Sequence, residues 1–196
     1  MLNLGKEHLT FADIMASPDT EWVEIIHGKL YPLIPLGEVH QGVLASLSAQ
    51  IWNQLRGSSA QMRSLIAVRP YEQLDDKSDM VDTVLLPDIS VLLAPRKFEE
   101  NGCRGVPNYV AEVISPSSQH LDTVVKFEIY QSTGVREYWI IDPEKKNVKV
   151  YILDENSGKF QLTNDINDSG MIPISVLNGV VVDVQEVFDY CVRCGY

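Results

Sequence analysis

Long hydrophobic runs are missing from this 196-residue sequence, and none approaches the roughly 20 consecutive apolar residues that span a bilayer. The opening MLNLGKEHLTFADI likewise lacks a basic region followed by an apolar stretch, the form of an export signal. A soluble, unexported, cytoplasmic chain is expected. Cysteine is scarce: Cys103, Cys191 and Cys194 are an odd set without framework spacing, which argues against a disulfide-built extracellular scaffold. Cys191 to Cys194 is a lone C-x-x-C with no second pair to complete a zinc tetrahedron. Basic residues are also few, 16 Lys and Arg against 27 Asp and Glu, for a formal net charge of −11. Sequence-independent affinity for nucleic acid comes mainly from cations on phosphates, so any such contact must be local. Candidates are Arg56, Arg63 and Arg69, or Arg96, Lys97 and Arg104. No Gly-rich phosphate loop, nucleophile elbow or HExxH helix occurs, and Asp75 to Asp82 lacks the Gly and Glu placement of a calcium loop.

What is present is a globular composition, 45% hydrophobic, with aromatics spread from Phe11 to Tyr196. That suffices for one domain over residues 1–196, with a core over about 20–155, needing no disulfide or metal staple. Thr10 caps a short helix closed near Pro18, and Trp22–Ile26 and Lys29–Ile34 read as a hairpin about His27-Gly28. From Glu38 to Arg56, Val43, Leu44, Leu47, Ile51 and Leu55 recur at the spacing of one buried helical stripe, broken by Gly57-Ser58-Ser59. Leu65–Leu74 is strand-like, Thr83–Leu93 reads as a central strand, and Tyr109–Ile114 as an almost wholly apolar one ended by Ser115-Pro116. Ser117 or Ser118 can cap a helix from about His120 to Ser132, closed by Gly134, before a strand at Arg136–Asp142 and further strands from Val148 to the end. A strand–helix–strand unit of this kind joins parallel neighbours.

Two acidic residues interrupt this pattern. Asp88 lies among Leu85, Leu86, Ile89, Val91 and Leu92, and Glu112 among Val110, Ala111, Val113 and Ile114. A carboxylate in a strand covered on both faces loses its hydration, at a cost of several kcal/mol unless a cation or donors replace the water. Either residue alone is equally readable as a structural ion pair. As a pair on adjacent strands they could present two carboxylates to one Mg²⁺, with the carbonyl of Val113 as a further oxygen.

Asp122, Lys126 and Tyr130 share one helical face. An ammonium there could position the attacking water and steady charge developing on phosphorus, or it could simply form a solvated pair with Asp122. His40 heads the buried stripe of the long helix, where a lone His is often a satisfied core residue rather than a ligand.

Glu24-Ile25-Ile26-His27-Gly28-Lys29-Leu30, His40, Leu86-Pro87-Asp88-Ile89, Val110-Ala111-Glu112-Val113-Ile114-Ser115-Pro116-Ser117, Asp122, Lys126, Tyr130, Gly134-Val135, Glu137-Tyr138-Trp139 and Asp142-Pro143 together resemble the Uma family of putative restriction endonucleases. That family is placed in the PD-(D/E)XK phosphodiesterase superfamily, and the resemblance runs from about Thr10 to Val187. It implies an α/β, restriction-endonuclease-like fold: a central mixed β-sheet flanked by helices, with additional N-terminal and C-terminal strands. It implies a site in which Asp88 and Glu112 hold Mg²⁺ or Mn²⁺. The standard motif has Lys two residues after the Glu, but Ile114 stands there, and in this family the Lys is thought to have moved to the following helix, which makes Lys126 the candidate. Glu24 and His40 would support the metal, with Asp122 and Tyr130 beside Lys126.

The function so implied is metal-dependent hydrolysis of nucleic-acid phosphodiesters, of DNA, by a homodimer. A non-catalytic binding or assembly protein keeping the fold, and a hydrolase of small phosphate esters, are the alternatives.

Overall fold

The computed structural model describes residues 6–16, 22–33, 37–71, 80–93 and 98–193. The expected boundaries at Pro18, Ile34 and Leu74, the loop at Asp75–Asp79, Arg96, Lys97 and Cys194 lie outside the described residues.

A short helix α1 (Phe11–Met15) precedes the hairpin β1 (Val23–Ile26) and β2 (Lys29–Pro32). The long amphipathic stripe forms α2 (Glu38–Gln54), followed by β3 (Gln61–Arg63), β4 (Val68–Arg69), β5 (Ile89–Leu92), β6 (Phe98–Glu99), β7 (Gly102–Arg104) and β8 (Tyr109–Val113). Next comes a π-helical turn, Leu121–Lys126, running on as α3 (Phe127–Thr133). The chain continues with β9 (Glu137–Asp142), β10 (Asn147–Asp154), β11 (Lys159–Asn167), β12 (Met171–Pro173), β13 (Val181–Asp183) and α4 (Val184–Arg193).

The central sheet has six strands in the order β11-β10-β9-β8-β5-β3. It is mixed: β8 and β9 run parallel, joined by the π turn and α3, and the other neighbours are antiparallel. The two-residue alternation of a strand sends successive side chains to opposite faces. Tyr109, Ala111, Val113, Trp139 and Ile141 pack with the stripe of α2 and with Ile172, Val182 and Phe188 of the C-terminal elements. Val110, Ile114, Tyr138 and Ile140 pack with Ile129 and Tyr130 of α3. Helices thus cover both faces, and residues sharing the parity of Val110 look toward α3. Glu112 has that parity.

Three expectations need correction. The run Thr83–Leu93 is not one strand, because Pro87 lacks an N–H for the ladder. Val84 and Leu85 instead bridge to Ile25 and Val68, and regular pairing begins at Ile89. The stretch from Leu65 narrows to Val68–Arg69, since Leu65 adopts φ 50, outside the extended region. The chain does not remain in strands to its end: Asp183 Oδ1 accepts the N–H groups of Gln185 and Glu186, starting α4, which buries Val184, Val187 and Phe188 at helical spacing.

The helix after β8 begins at Gln119, close to where the sequence sets it. Ahead of it Ser115 and Ser118 exchange backbone N–H to hydroxyl hydrogen bonds of 3.0 and 3.2 Å, closing the turn that holds Pro116. Gly134 at φ 91 ends the helix in the left-handed conformation that a side chain disfavours.

Candidate functional site

Two features of the backbone assemble the site. The antiparallel register of β5 with β8, Ile89 to Ala111 and Ser90 to Val110, continued one step sets Asp88 against Glu112. Pro87, by ending the ladder there, frees the N–H groups on either side of it to meet carboxylates. Leu86 N–H donates to Glu24 Oε1 at 2.7 Å, and Asp88 N–H donates to Glu112 Oε2 at 3.2 Å. Val113 enters through its own N–H, which donates to Asp88 Oδ2 at 2.8 Å.

The π turn supplies the cation. Lys126 Nζ lies 2.9 Å from Glu24 Oε1, 3.1 Å from Glu112 Oε1 and 3.2 Å from Asp122 Oδ1. Tyr130 OH donates to Glu112 Oε1 at 2.9 Å, and Tyr138 OH donates to the Asp122 carbonyl at 3.0 Å. On the far side, His40 Nε2 from the first turn of α2 is 3.2 Å from Asp88 Oδ2. Glu24, Glu112, Asp122 and Lys126 are at most 3% exposed, and Asp88 and His40 are 6% and 7% exposed.

The residues proposed for the site therefore form one cluster: Asp88, Glu112 and Lys126, with Glu24 and Asp122 around the ammonium, Tyr130 on Glu112 and His40 behind Asp88. The candidate phosphate contacts stand apart from it: Arg69 is buried over Phe11, and both it and Arg104 pair with Glu99. The sequence reading missed the Leu86 N–H and the Tyr138 hydroxyl. Pro87 was the signal for the first. The parity of Tyr138, which pairs with Val110 in β8 and so shares the face of Glu112, was the signal for the second. A π turn is uncommon in proteins and recurs at functional sites, and here it carries both Asp122 and Lys126.

The electrostatics are unbalanced. Four buried carboxyl groups share the cluster with one ammonium, three of them in contact with it and Asp88 against His40, so the carboxylates outnumber the lysine by three charges if all are ionised. Burial pushes the Glu112 carboxyl well above the usual carboxylate range; Lys126 opposes the shift, and Asp122, Asp88 and Glu24 add to it. Burial alone would favour the neutral amine of Lys126, but Glu112, Glu24 and Asp122 outweigh it and hold the ammonium well above its ordinary value. Tyr130 is raised by burial and by Glu112 and Glu24, so its hydroxyl stays a donor. Two buried atoms, Glu24 Oε2 and His40 Nδ1, have no hydrogen-bond partner among the described residues.

This donor set fits a hard divalent cation. Among the described residues no three His, Cys, Asp or Glu side chains form a ready cation cage. Magnesium commonly takes only one or two carboxylates and completes its shell with water and phosphate. Asp88 and Glu112 meet that requirement, and the excess negative charge would be offset by a dication.

Comparison with solved structures places the fold. A putative nuclease belonging to DUF820 from Anabaena variabilis ATCC 29413 superposes with a TM-score of 0.70 over 93% of this chain and 98% of that one, at 20% identity. A comparison with curated proteins returns no match. The sequence profile of the Uma2 family, described as a putative restriction endonuclease, matches residues 10–185, which takes in the hairpin, α2, all the cluster residues and the start of α4. The fold, the span of the match and the residues it encloses lead to one assignment: the chain belongs to the Uma2 family of putative restriction endonucleases.

Proposed function

We propose that the protein is a divalent-metal-dependent endonuclease that hydrolyses phosphodiester bonds of DNA. The observation that carries this reading is the buried excess of carboxylates around Lys126, an arrangement that packing alone disfavours. Asp88 and Glu112, with the carbonyl of Val113, would hold Mg²⁺ or Mn²⁺. When bound, such an ion supplies Lewis-acid neutralisation of the phosphate and a more acidic water.

The chain's own groups do the rest. Lys126 keeps an ammonium beside Glu112, where it steadies negative charge developing on the phosphoryl oxygens. Tyr130 fixes Glu112 Oε1, and Glu24 and Asp122 fix the lysine. His40 orients Asp88. Cutting both strands of a duplex calls for two such sites, hence a homodimer.

Calorimetric titration with Mg²⁺ and Mn²⁺, run on wild type and on Asp88→Ala, tests the reading. Wild type binds and the variant loses binding, and cleavage of DNA depends on the ion. No binding by folded wild type at millimolar ion overturns it. Single-stranded, double-stranded and mononucleotide substrates in the same assay separate a nuclease from a hydrolase of small phosphate esters.

A further inference from the structure

A cleft of about 440 Å³ opens beside the carboxylate cluster. Tyr31 and Leu33 wall it on the side of β2, Leu121 and Val125 of the π turn on the other; Glu24 belongs to its lining and the exposed His120 to its edge. The lining is mainly apolar, with Ser115, Ser117 and Ser118 also on it, and the half-buried Tyr31 offers a ring on which a flat, unsaturated ligand can stack.

At Glu24 the character changes. Its Oε1 is taken by the Leu86 N–H and by Lys126, whereas Oε2 is buried without a partner among the described residues. A buried acceptor without a donor is costly, so the fitting ligand is one that donates hydrogen bonds. A carboxylate repels a phosphate, so the group in the cleft is not the phosphate itself. Glu24 shares Lys126 with Glu112, which sets the occupant directly beside the groups proposed to act on the phosphodiester.

We propose that this cleft receives an unpaired nucleobase bearing an exocyclic amino group, stacked on Tyr31 with its amine donating to Glu24 Oε2. Carboxylates accept from such amines in base recognition, as from the N4 of cytosine. The proposal rests on the nuclease reading and adds a substrate class to it: cytosine, adenine or guanine nucleotides presented singly, in a single strand or flipped from a duplex. Extruding a base costs its stacking and pairing, so single strands bind better than duplex.

The test uses labelled single-stranded DNA pentamers that differ only at the central position, which carries cytosine, adenine, guanine, thymine or an abasic sugar. Binding to the full chain is measured with Ca²⁺ in place of Mg²⁺ to slow hydrolysis. Cytosine, adenine and guanine pentamers bind about tenfold tighter than the abasic one, the order expected for one stacked base, and several-fold tighter than thymine. Tyr31→Ala and Val125→Ser each remove this preference while leaving the circular-dichroism spectrum and divalent-ion binding unchanged. Equal binding of all five pentamers, binding of none, or a preference that survives in both folded variants overturns the proposal. Ion titration on the same samples reports separately on the nuclease reading: base-blind binding with intact ion binding fails this inference alone, whereas wild type that binds no ion fails both.

Discussion

Lys126 Nζ sits 3.1 Å from Glu112 Oε1, joining the π turn to the middle of the central sheet inside a buried cluster. The same ammonium also holds Glu24 and Asp122. One cation thus compensates three carboxylates, and most consequences of altering the site follow from that ratio.

Replacing Lys126 by Met removes the compensation and leaves carboxylates buried together. Breaking a buried ion pair from one side costs about 3–5 kcal/mol, and chemical denaturation of Lys126→Met in the presence of a chelator should show a loss of this order. Adding Mg²⁺ should recover part of the loss without restoring cleavage. An unchanged unfolding midpoint would show that the carboxyls do not depend on the lysine.

Tyr130→Phe deletes one donor to Glu112 and nothing else of similar size. A hydrogen bond to a charged group is worth about 1.5–3 kcal/mol, and burial keeps the phenol protonated. The variant should lose stability near the lower end of that range and retain ion binding, with kcat falling more than KM rises. Denaturation and steady-state kinetics together check this.

The metal-free protein should become less stable as pH rises from mildly acidic values. Burial, first among the causes, raises the folded-state pKa of Glu112 well above its ordinary 4.5. Below 4.5 both folded and unfolded chains hold the proton and nothing is lost. Between 4.5 and the raised value the folded chain binds more protons than the unfolded one, so unfolding free energy falls with rising pH. Lys126, raised above its ordinary 10.5, contributes a loss only at pH beyond that value and adds no slope here. Urea denaturation in a chelator across this range should show the decline in wild type and a shallower one in Glu112→Gln, the remainder coming from Glu137, which burial also raises above 4.5. Divalent-ion binding should release protons in the same window, since the ion requires the ionised carboxylate.

Gly28→Ala tests the hairpin that delivers Glu24. Gly28 has φ +78, where a side chain costs about 1–2 kcal/mol, and an added Cβ would lie 2.1 Å from His8 Nδ1. His8 is an exposed side chain and can swing away, so the backbone cost should dominate the measured loss. Gly57→Ala, at φ +81 with open space around it, is the matching control and should lose a similar amount without affecting the site.

The sequence made the long helix legible because Val43, Leu44, Leu47 and Ile51 repeat at 3.6-residue spacing, and it made β8 legible because five successive residues are buried. Asp88 and Glu112 stood out for the complementary reason, as charges in apolar strands. Other features depend on contacts far apart in the chain. Glu24 was marked only by the family resemblance, as support for the metal; nothing in its own hairpin announces the Leu86 N–H that donates to its carboxylate from 62 residues away. The π winding of Leu121–Lys126 has no signature in side-chain spacing, because Asp122 and Lys126 also meet in an ordinary α-helix. The break at Pro87 was readable in principle, and the apolar residues around it concealed it.

Glu24, Leu86, Glu112 and Lys126 come from the hairpin, the turn before β5, the central sheet and the helix beyond it. A chain emerging from a ribosome therefore holds no partial version of the cluster: until the helix bearing Lys126 and Tyr130 is out and docked, Glu112 and Glu24 have no counter-cation. Whatever the cluster can do to a substrate waits on that helix, and a product that stops before Lys126 lacks the ammonium that Glu24, Glu112 and Asp122 share.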